Sequence, residues 1–427
     1  MRQMKDSGVE WIGEIPIEWD VTILSALFGE RKHKNHNLEE TNLLSLSYGQ
    51  IKRKSIETNE GLLPASFETY NIIEAGDIVF RLTDLQNDKR SLRTGLCKER
   101  GIITSAYVTL AGKANDDPSY MHYLFHSYDI CKVFYGMGDG VRQGMNYIDL
   151  KSLRVIRPPY TQQVKIGDYL NRKCALIDAV IVRQQEAIEK LKAYKLSVIT
   201  EAVTKGLNSE VQVKDSGIKY VQSIPTSWEN RKMISILAMR VVDGAHESPE
   251  LFDEGIPYIS ATAIENGNIN FDKMRGYISS EYCDMCDQRY VPALNDILVI
   301  KLGASTGQVA MVETTERFNI WVPLAAVRCN EKANPRFVYY AFQSDYFVKQ
   351  MEQSWTYGTQ QTLGVKTIER LRILLPPIDE QGEIVAYLDR KYTAINSAIE
   401  KRQVLIDRLE EYKKSLIYKV VTGKREV

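Results

Sequence analysis

At 427 residues the chain is too long for one compact core, so two or three domains are expected. Lys plus Arg number 55 and Asp plus Glu number 55, so no bulk field draws the protein onto polyanions; this weighs against a generic nucleic-acid coat but not against local basic loops. No run approaches about 18 apolar residues, the polar start Met1-Arg2-Gln3-Met4-Lys5-Asp6 is no signal peptide, and the six cysteines read as reduced thiols, so a soluble cytoplasmic protein is expected.

The first segment, Asp6-Ser7-Gly8 … Ile15-Pro16 … Trp19, leads into a β-rich unit. Leu43-Leu44-Ser45-Leu46-Ser47 reads as a strand ending at Tyr48-Gly49, and Ala75-Gly76-Asp77-Ile78-Val79-Phe80 as a tight turn entering a buried strand. A basic stretch follows from Arg81 to Arg100, then an apolar strand over 106–110 and a helix over 120–134. A loop carrying Gly140-Val141-Arg142-Gln143-Gly144 precedes a last strand that runs into Pro158-Pro159. Prolines donate no backbone hydrogen bond, so the pair ends the strand and sets up a helix start.

That helix extends towards Gly206, where a C-cap is expected, and Gly206-Leu207-Asn208-Ser209 with Lys214 forms a short linker. The text then repeats. Asp215-Ser216-Gly217 … Ile224-Pro225 … Trp228 restates the entry segment, and residues 256–260 and 294–299 restate the two strands. The loop that follows differs, reading Lys301-Leu302-Gly303-Ala304-Ser305-Thr306-Gly307-Gln308. The copies reconverge on a strand over 324–327 and a helix over 336–351, diverge again at Gly358-Thr359-Gln360-Gln361-Thr362, and meet at Pro376-Pro377. Residues 153–204 and 371–422 align without a gap, so the chain carries an internal repeat.

Within each long helix apolar residues recur at 3-4-3-4 spacing. Leu170, Cys174, Ile177, Ile181, Ile188, Leu191, Val198 and Ala202 form one seam, interrupted at Gln184 and Lys195. Leu388, Tyr392, Ile395, Ile399, Ile406, Leu409, Leu416 and Val420 form the other, interrupted at Arg402 and Lys413. Matching interruptions suit coiled-coil partners, and about 38 residues would make a rod of roughly 57 Å. An antiparallel pair within the chain is expected, since each helix must leave and re-enter a globular unit. Two independent core helices are the alternative.

Chemistry is sparse. Arg157-Pro158-Pro159-Tyr160 resembles an amino-methyltransferase loop, but Arg stands where an acceptor is required and its repeat partner is Leu375-Pro376-Pro377-Ile378, so it reads as a helix start. Gly136-x-Gly138-x-Gly140 follows a helix rather than a strand and is a weak cofactor signal. Cys283-x-x-Cys286 has zinc spacing without a second pair, and His122 and His126 become Tyr339 and Gln343 in the other copy, so these histidines read as surface or half-buried residues. No catalytic site and no metal site are expected.

What remains is a pair of DNA- or protein-reading units. Arg suits guanine, Gln and Asn suit adenine, and Ser and Thr suit either. Base-reading candidates are Arg81, Lys89, Arg90, Arg93, Arg142 and Gln143 in the first unit, and Lys301, Ser305, Gln308, Gln360, Gln361 and Lys366 in the second. Tyr48, Lys52, Arg53 and Lys54 are candidates for phosphate contacts.

The text Asp6-Ser7-Gly8-x-x-Trp11-Ile12-Gly13-x-Ile15-Pro16-x-x-Trp19, with Gly76-Asp77-Ile78 and Leu371-x-x-x-Leu375-Pro376-Pro377-x-x-Glu380-Gln381-x-x-Ile384, resembles the specificity (S) subunit of type I restriction-modification systems over nearly the full length, twice. The first copy departs by one residue, Gln162 in place of the Glu. The resemblance implies an α+β fold in which two β-rich target-recognition domains are joined by two long antiparallel coiled-coil helices with pseudo-two-fold symmetry. The expected boundaries are residues 1–157 and 208–375 for the recognition domains and 158–207 and 376–427 for the helical spacers. It further implies a non-catalytic subunit that reads a bipartite double-stranded DNA target, with the helices as a ruler for the unread spacer. The implied partners are two methyltransferase (modification) subunits and restriction subunits, with S-adenosylmethionine, ATP and Mg²⁺ on those partners and no cofactor or membrane contact in this chain. Two other readings stand beside it: a methyltransferase or nuclease in its own right, and a protein-binding scaffold or decoy with the same frame.

Overall fold

The computed structural model describes residues 2–54, 66–85, 92–137, 144–357 and 360–427. Strands and helices are mixed, and the chain divides into two compact units, Met1–Gln185 with Gln403–Val427, and Glu186–Arg402. The division falls inside both long helices, so each unit contains half of each. Among the described residues no helix is long and apolar enough to cross a membrane.

The first unit opens on the antiparallel pair Met4–Asp6 and Glu14–Pro16, after which Asp20–Ile23 pairs with Arg154–Arg157, the strand that leads to Pro158. Its main sheet has four antiparallel strands in the order Phe28–Glu30, Val108–Gly112, Ile78–Phe80, Thr94–Leu96. The second unit repeats each step. Val213–Ile218 pairs with Val221–Pro225, Glu229–Lys232 pairs with Arg372–Leu375, and the sheet runs Val242–Asp243, Leu324–Val327, Ile297–Ile300, Val309–Met311. The turn before the central strand is the same device in both: a residue with positive φ (Gly76 at 94°, Asn295 at 70°) followed by a buried aspartate. Asp77 meets Arg31 at 3.0 Å, and Asp296 takes a bidentate pair from Arg328 at 2.7 Å, so buried charge is matched each time.

The long helices span Tyr160–Lys205 and Ile378–Val421, 46 and 44 residues or about 69 and 66 Å. The expectation of about 38 residues was short, because each helix runs unbroken from the proline pair through Gly167 or Gly382. Each helix starts directly after the proline pair, where one glutamine fastens it. Gln163 donates to Pro158 O at 2.9 Å and accepts from Asp117 N at 2.9 Å, while Gln381 donates to Pro376 O at 2.9 Å and accepts from Asn334 N at 2.7 Å. The two glycines differ in cause. A Cβ at Gly167 would lie 2.5 Å from Asp117 Oδ1, the oxygen that caps the helix Pro118–Ile130, whereas a Cβ at Gly382 meets nothing within 4 Å. Gly167→Ala is therefore expected to destabilise by about 1–3 kcal/mol and Gly382→Ala to stabilise by about 0.5–1 kcal/mol, measured as opposite shifts of a urea midpoint.

The seam residues are buried or half-buried along both helices. In the first unit Lys413 Nζ bonds Asp178 at 2.6 and 2.7 Å, while Ile166 and Val420 line one cleft; in the second, Lys195 Nζ bonds Asn396 at 2.9 Å and lies 3.6 Å from the Tyr392 ring centroid, and Glu201 shares a cleft with Tyr387. Numbers rise along one helix as they fall along the other, so the pairing is antiparallel in each unit. The two seam lysines foreseen as interruptions have found polar partners, which is how a coiled coil keeps its register.

Each unit clamps the start of one long helix to the end of the other around a tryptophan. Trp19 Nε1 donates to Gln162 Oε1 at 2.8 Å, and the helix-ending Gly423 (φ 71°) lies against the indole. Trp228 Nε1 donates to Glu380 Oε1 at 3.0 Å, and the equivalent Gly206 (φ 75°) lies against it. Gln162 and Glu380 do the same work, so the one departure from the motif is structurally silent.

Three sequence expectations need correction. The helix expected over 120–134 ends at Ile130, with Lys132 in a left-handed conformation before a separate turn Val133–Gly136. That expected over 336–351 is two helices, Pro335–Gln343 and Asp345–Gln353; Ser344 leaves helical geometry (ψ 150°), and the freed Asp345 N donates to Thr200 Oγ1 at 2.9 Å. The strand expected over 106–110 is Val108–Gly112, because Tyr107 N closes a turn onto Thr104 O.

Candidate nucleic-acid interface

The divergent loops sit on equivalent scaffolding. After the central strand of the first unit, Leu82 O accepts from Met145 N at 2.9 Å; after that of the second, Lys301 O accepts from Leu363 N at 2.8 Å. In both units the loop leaving the central strand is thus docked by one backbone bond to the loop that precedes the last strand. The second unit elaborates the contact. Gly303 N donates to Gln361 O at 3.1 Å, and Thr306 Oγ1 bridges Gly303 O at 2.7 Å and Gln361 O at 3.3 Å. Gln308, Gln360 and Lys366 remain exposed, with Ser305 and Gln361 half-buried beside them. Five of the six candidates of this unit are therefore exposed or half-buried on two loops whose backbones are fixed to each other, with amide, hydroxyl and ammonium groups available.

The sixth is not. Lys301 is only 7% exposed, and its ammonium lies 2.9 Å from Asp243, which also pairs with Arg289 and His246. Burial pushes the Asp243 carboxyl up, but the hydrogen bond and charge of Lys301, with Arg289 and His246, outweigh it and hold the group below its usual range. Arg93 of the first unit is likewise 0% exposed: its guanidinium donates to Thr83 O at 2.7 Å, Asp84 O at 3.3 Å and Arg81 O at 3.4 Å, and its N–H to Asp129 Oδ2 at 2.6 Å. In this conformation both cations hold the loops in shape, and neither is presented to a ligand. A long cation in a basic stretch looks the same in sequence whether it reads or braces.

Of the remaining first-unit candidates, Tyr48, Lys52, Arg53 and Lys54 are exposed, with Arg53 Nε bonded to Glu99 at 2.9 and 3.0 Å, and Arg81 is half-buried. Lys89, Arg90, Arg142 and Gln143 lie outside the described residues.

Sequence reading missed a cluster of one histidine and two arginines beside the second-unit loop. The Arg275 guanidinium stacks 3.3 Å from the Trp321 ring centroid, its Nη1 buried without a hydrogen-bond partner, and Ala245 bridges to Trp321 beside Asp243 and His246. His246, Arg275 and Arg289 come from three separate segments, so no local spacing could have assembled them. Cys283 and Cys286 are buried free thiols on the helix Ser280–Asp287, with burial pushing Cys283 up to about 11, and among the described residues no group of three or more His, Cys, Asp or Glu could hold a metal ion.

The family described as "Type I restriction modification DNA specificity domain" matches residues 227–406. The chain is 24% identical over 432 residues to a putative type I restriction enzyme MjaX specificity subunit of Methanocaldococcus jannaschii, covering 97% of this chain and 96% of that protein. It is 25% identical over 275 residues to the type I restriction enzyme EcoBI specificity subunit of Escherichia coli, covering 62% of this chain and 57% of that protein. A solved structure concerned with complex assembly and conformational transition of the type I R-M system contains a chain of like fold, with TM-score 0.68 and 15% identity, covering 96% of this chain and 99% of that one.

Proposed function

We propose that the chain is a specificity subunit of a type I restriction-modification system, as its similarity to such subunits suggests, and that its two units each read one half of an interrupted DNA sequence. As a specificity subunit the chain is the recognition component of a larger complex and not its catalyst. Residues 1–157 and 208–375 are taken as the recognition domains and 158–207 and 376–427 as the spacers between them. Ser305, Gln308, Gln360, Gln361 and Lys366 face one half-site, and Arg81 with Lys89, Arg90, Arg142 and Gln143 the other. Tyr48, Lys52, Arg53 and Lys54 belong to the DNA-facing surface of the first unit, and the stacked Arg275 to that of the second. Arg93 and Lys301 position the loops.

The helices act as the ruler; at about 3.4 Å per base pair a 66 Å helix matches roughly 20 base pairs, enough to hold readers in separate major grooves. Two methyltransferase subunits bring S-adenosylmethionine to the paired helices, and restriction subunits bring ATP and Mg²⁺ to the assembly. Net neutrality suits this division, because those partners can supply part of the grip on phosphate.

The observation that carries the reading is the shared backbone bond beneath unlike loops, Leu82 O with Met145 N and Lys301 O with Leu363 N. A frame kept while its presented side chains differ is what two unlike half-sites require. Mapping methylated adenines in DNA from cells that express the chain with its methyltransferase partner tests it. An asymmetric, interrupted site is expected; methylation without sequence preference contradicts it.

A further inference from the structure

The first unit carries a two-stranded ribbon, Leu44–Ser47 with Gln50–Arg53, whose cross-strand pairs include Ser45 with Lys52, Leu46 with Ile51, and Ser47 with Gln50. Alternation sends Leu44, Leu46 and Ile51 into an apolar cluster with Ile73, Val79, Cys97 and Ile103. It leaves Ser45, Ser47, Gln50 and Lys52 on the opposite face, all of them hydrogen-bonding side chains.

The tip is the unexpected part. Tyr48 (φ 47°) and Gly49 (φ 76°) form a two-residue turn with both residues left-handed, a turn that favours Asn-Gly and costs other side chains about 1–2 kcal/mol. Tyr48 recovers nothing by burial, being 80% exposed. The sequence matched residues 256–260 to the first strand of this ribbon, but by packing its counterpart is Ile264–Glu265 with Asn268–Ile269, which lies against Val309–Met311 as Gln50–Arg53 lies against Thr94–Leu96, and its tip uses the preferred pair, Asn266 (φ 51°) and Gly267 (φ 85°). That tip is pinned: Asn266 O accepts from Tyr392 OH at 3.0 Å and Gly267 O from Tyr339 OH at 3.1 Å. In the repeat those tyrosines become Cys174 and His122 in the first unit, so neither hydroxyl is present there. Two copies of one device have diverged, one short and docked, the other longer, with an exposed aromatic tip and a polar outer face.

Alternation alone accounts for a polar outer face, but burial does not account for the strained, exposed tyrosine, whereas an external ligand does. A two-stranded ribbon fits the major groove of duplex DNA, Gln matches adenine, Ser either base and Lys guanine, and an aromatic ring offers apolar contact to a thymine methyl. Lys54, next along the chain and exposed, adds charge of the sign that phosphate attracts. We infer that this ribbon enters the major groove of the first half-site, with Ser45, Ser47, Gln50 and Lys52 reading base edges and Tyr48 touching bases at its tip. The inference rests on the DNA-reading function proposed above and gives it a reading element outside the divergent loops.

The test uses the chain assembled with its methyltransferase partner, with methylated sites mapped and affinity measured on the mapped duplex. Gln50→Ala combined with Lys52→Ala is expected to relax base choice in one half-site by roughly 10- to 100-fold and to leave the other half unchanged. Tyr48→Asn, which the turn accepts without strain, is expected to weaken binding about 10-fold. Variants that retain wild-type preference and affinity overturn the inference, and so does loss of the methyltransferase partner on co-purification with base preference intact, which would make the ribbon a protein contact. A wild-type complex with no sequence preference instead overturns the DNA-reading function itself.

Discussion

Replacing Trp228 with alanine is expected to lower the unfolding free energy by about 3–5 kcal/mol, read as a fall in the urea midpoint, with a matching loss for Trp19→Ala. Both rings are fully buried. Trp228 packs edge-on to Phe337 and touches Gly206, and Trp19 packs edge-on to Tyr120 and touches Gly423. Each substitution leaves a cavity at the point where one long helix begins and the other ends. Each also strands an acceptor, Glu380 or Gln162, that had been satisfied by the indole N–H. The control is Glu380→Gln, expected to change stability by less than about 0.5 kcal/mol, because Gln162 already makes the same bond in the other copy. A large loss in that control would mean the two clamps are not equivalent.

The second large effect is acid lability of the first unit. His122 and His126 are half-buried on the helix Pro118–Ile130, and His122 Nε2 and His126 Nδ1 are buried without hydrogen-bond partners. Burial pushes His122 down to about 4, opposed by a backbone hydrogen bond at Thr94 and assisted by Lys98. Burial, with the charges of His122, Lys413 and Lys414, pushes His126 down to about 3. Both rings are therefore neutral in the folded protein and would take up protons near pH 6.5 when unfolded. A group depressed in this way contributes its full stability above pH 6.5 and loses it as pH falls towards its folded value. At pH 5 the loss is at most about 2 kcal/mol per ring, so the pair costs up to roughly 4 kcal/mol. Chemical denaturation from pH 7.5 to 5 should show that decline, and His126→Gln, the residue found at Gln343 in the other copy, should flatten it by about half. An unchanged slope in the variant would rule out this origin.

The repeat made much of the fold legible. Two stretches of chain with one periodicity and one set of polar interruptions could bury their seams against each other, and the lysine partners Asp178 and Asn396 show how the interruptions are tolerated. Helix breaks were not legible, because Ser344 lies within an unbroken apolar pattern and only Thr200, distant in sequence, satisfies the freed amide. The candidate interface was legible at the level of loops and not of single cations. Lys301 and Arg93 carry the same chemistry as a base reader, and only their own burial against Asp243 and against the carbonyls of Arg81, Thr83 and Asp84 decides that they brace. The ribbon escaped notice for the opposite reason. Its outward residues Ser45, Ser47 and Gln50 are unremarkable until strand pairing puts them on one face with Lys52.

Exchange of residues 301–308 for the corresponding loop of a subunit with a different target, in the complex with its methyltransferase partner, tests the two-reader scheme most directly. Methylation-site mapping should show new bases in one half-site, with the other half and the spacer length unchanged. A change in both halves, or in neither, would contradict the assignment of one half-site to each unit.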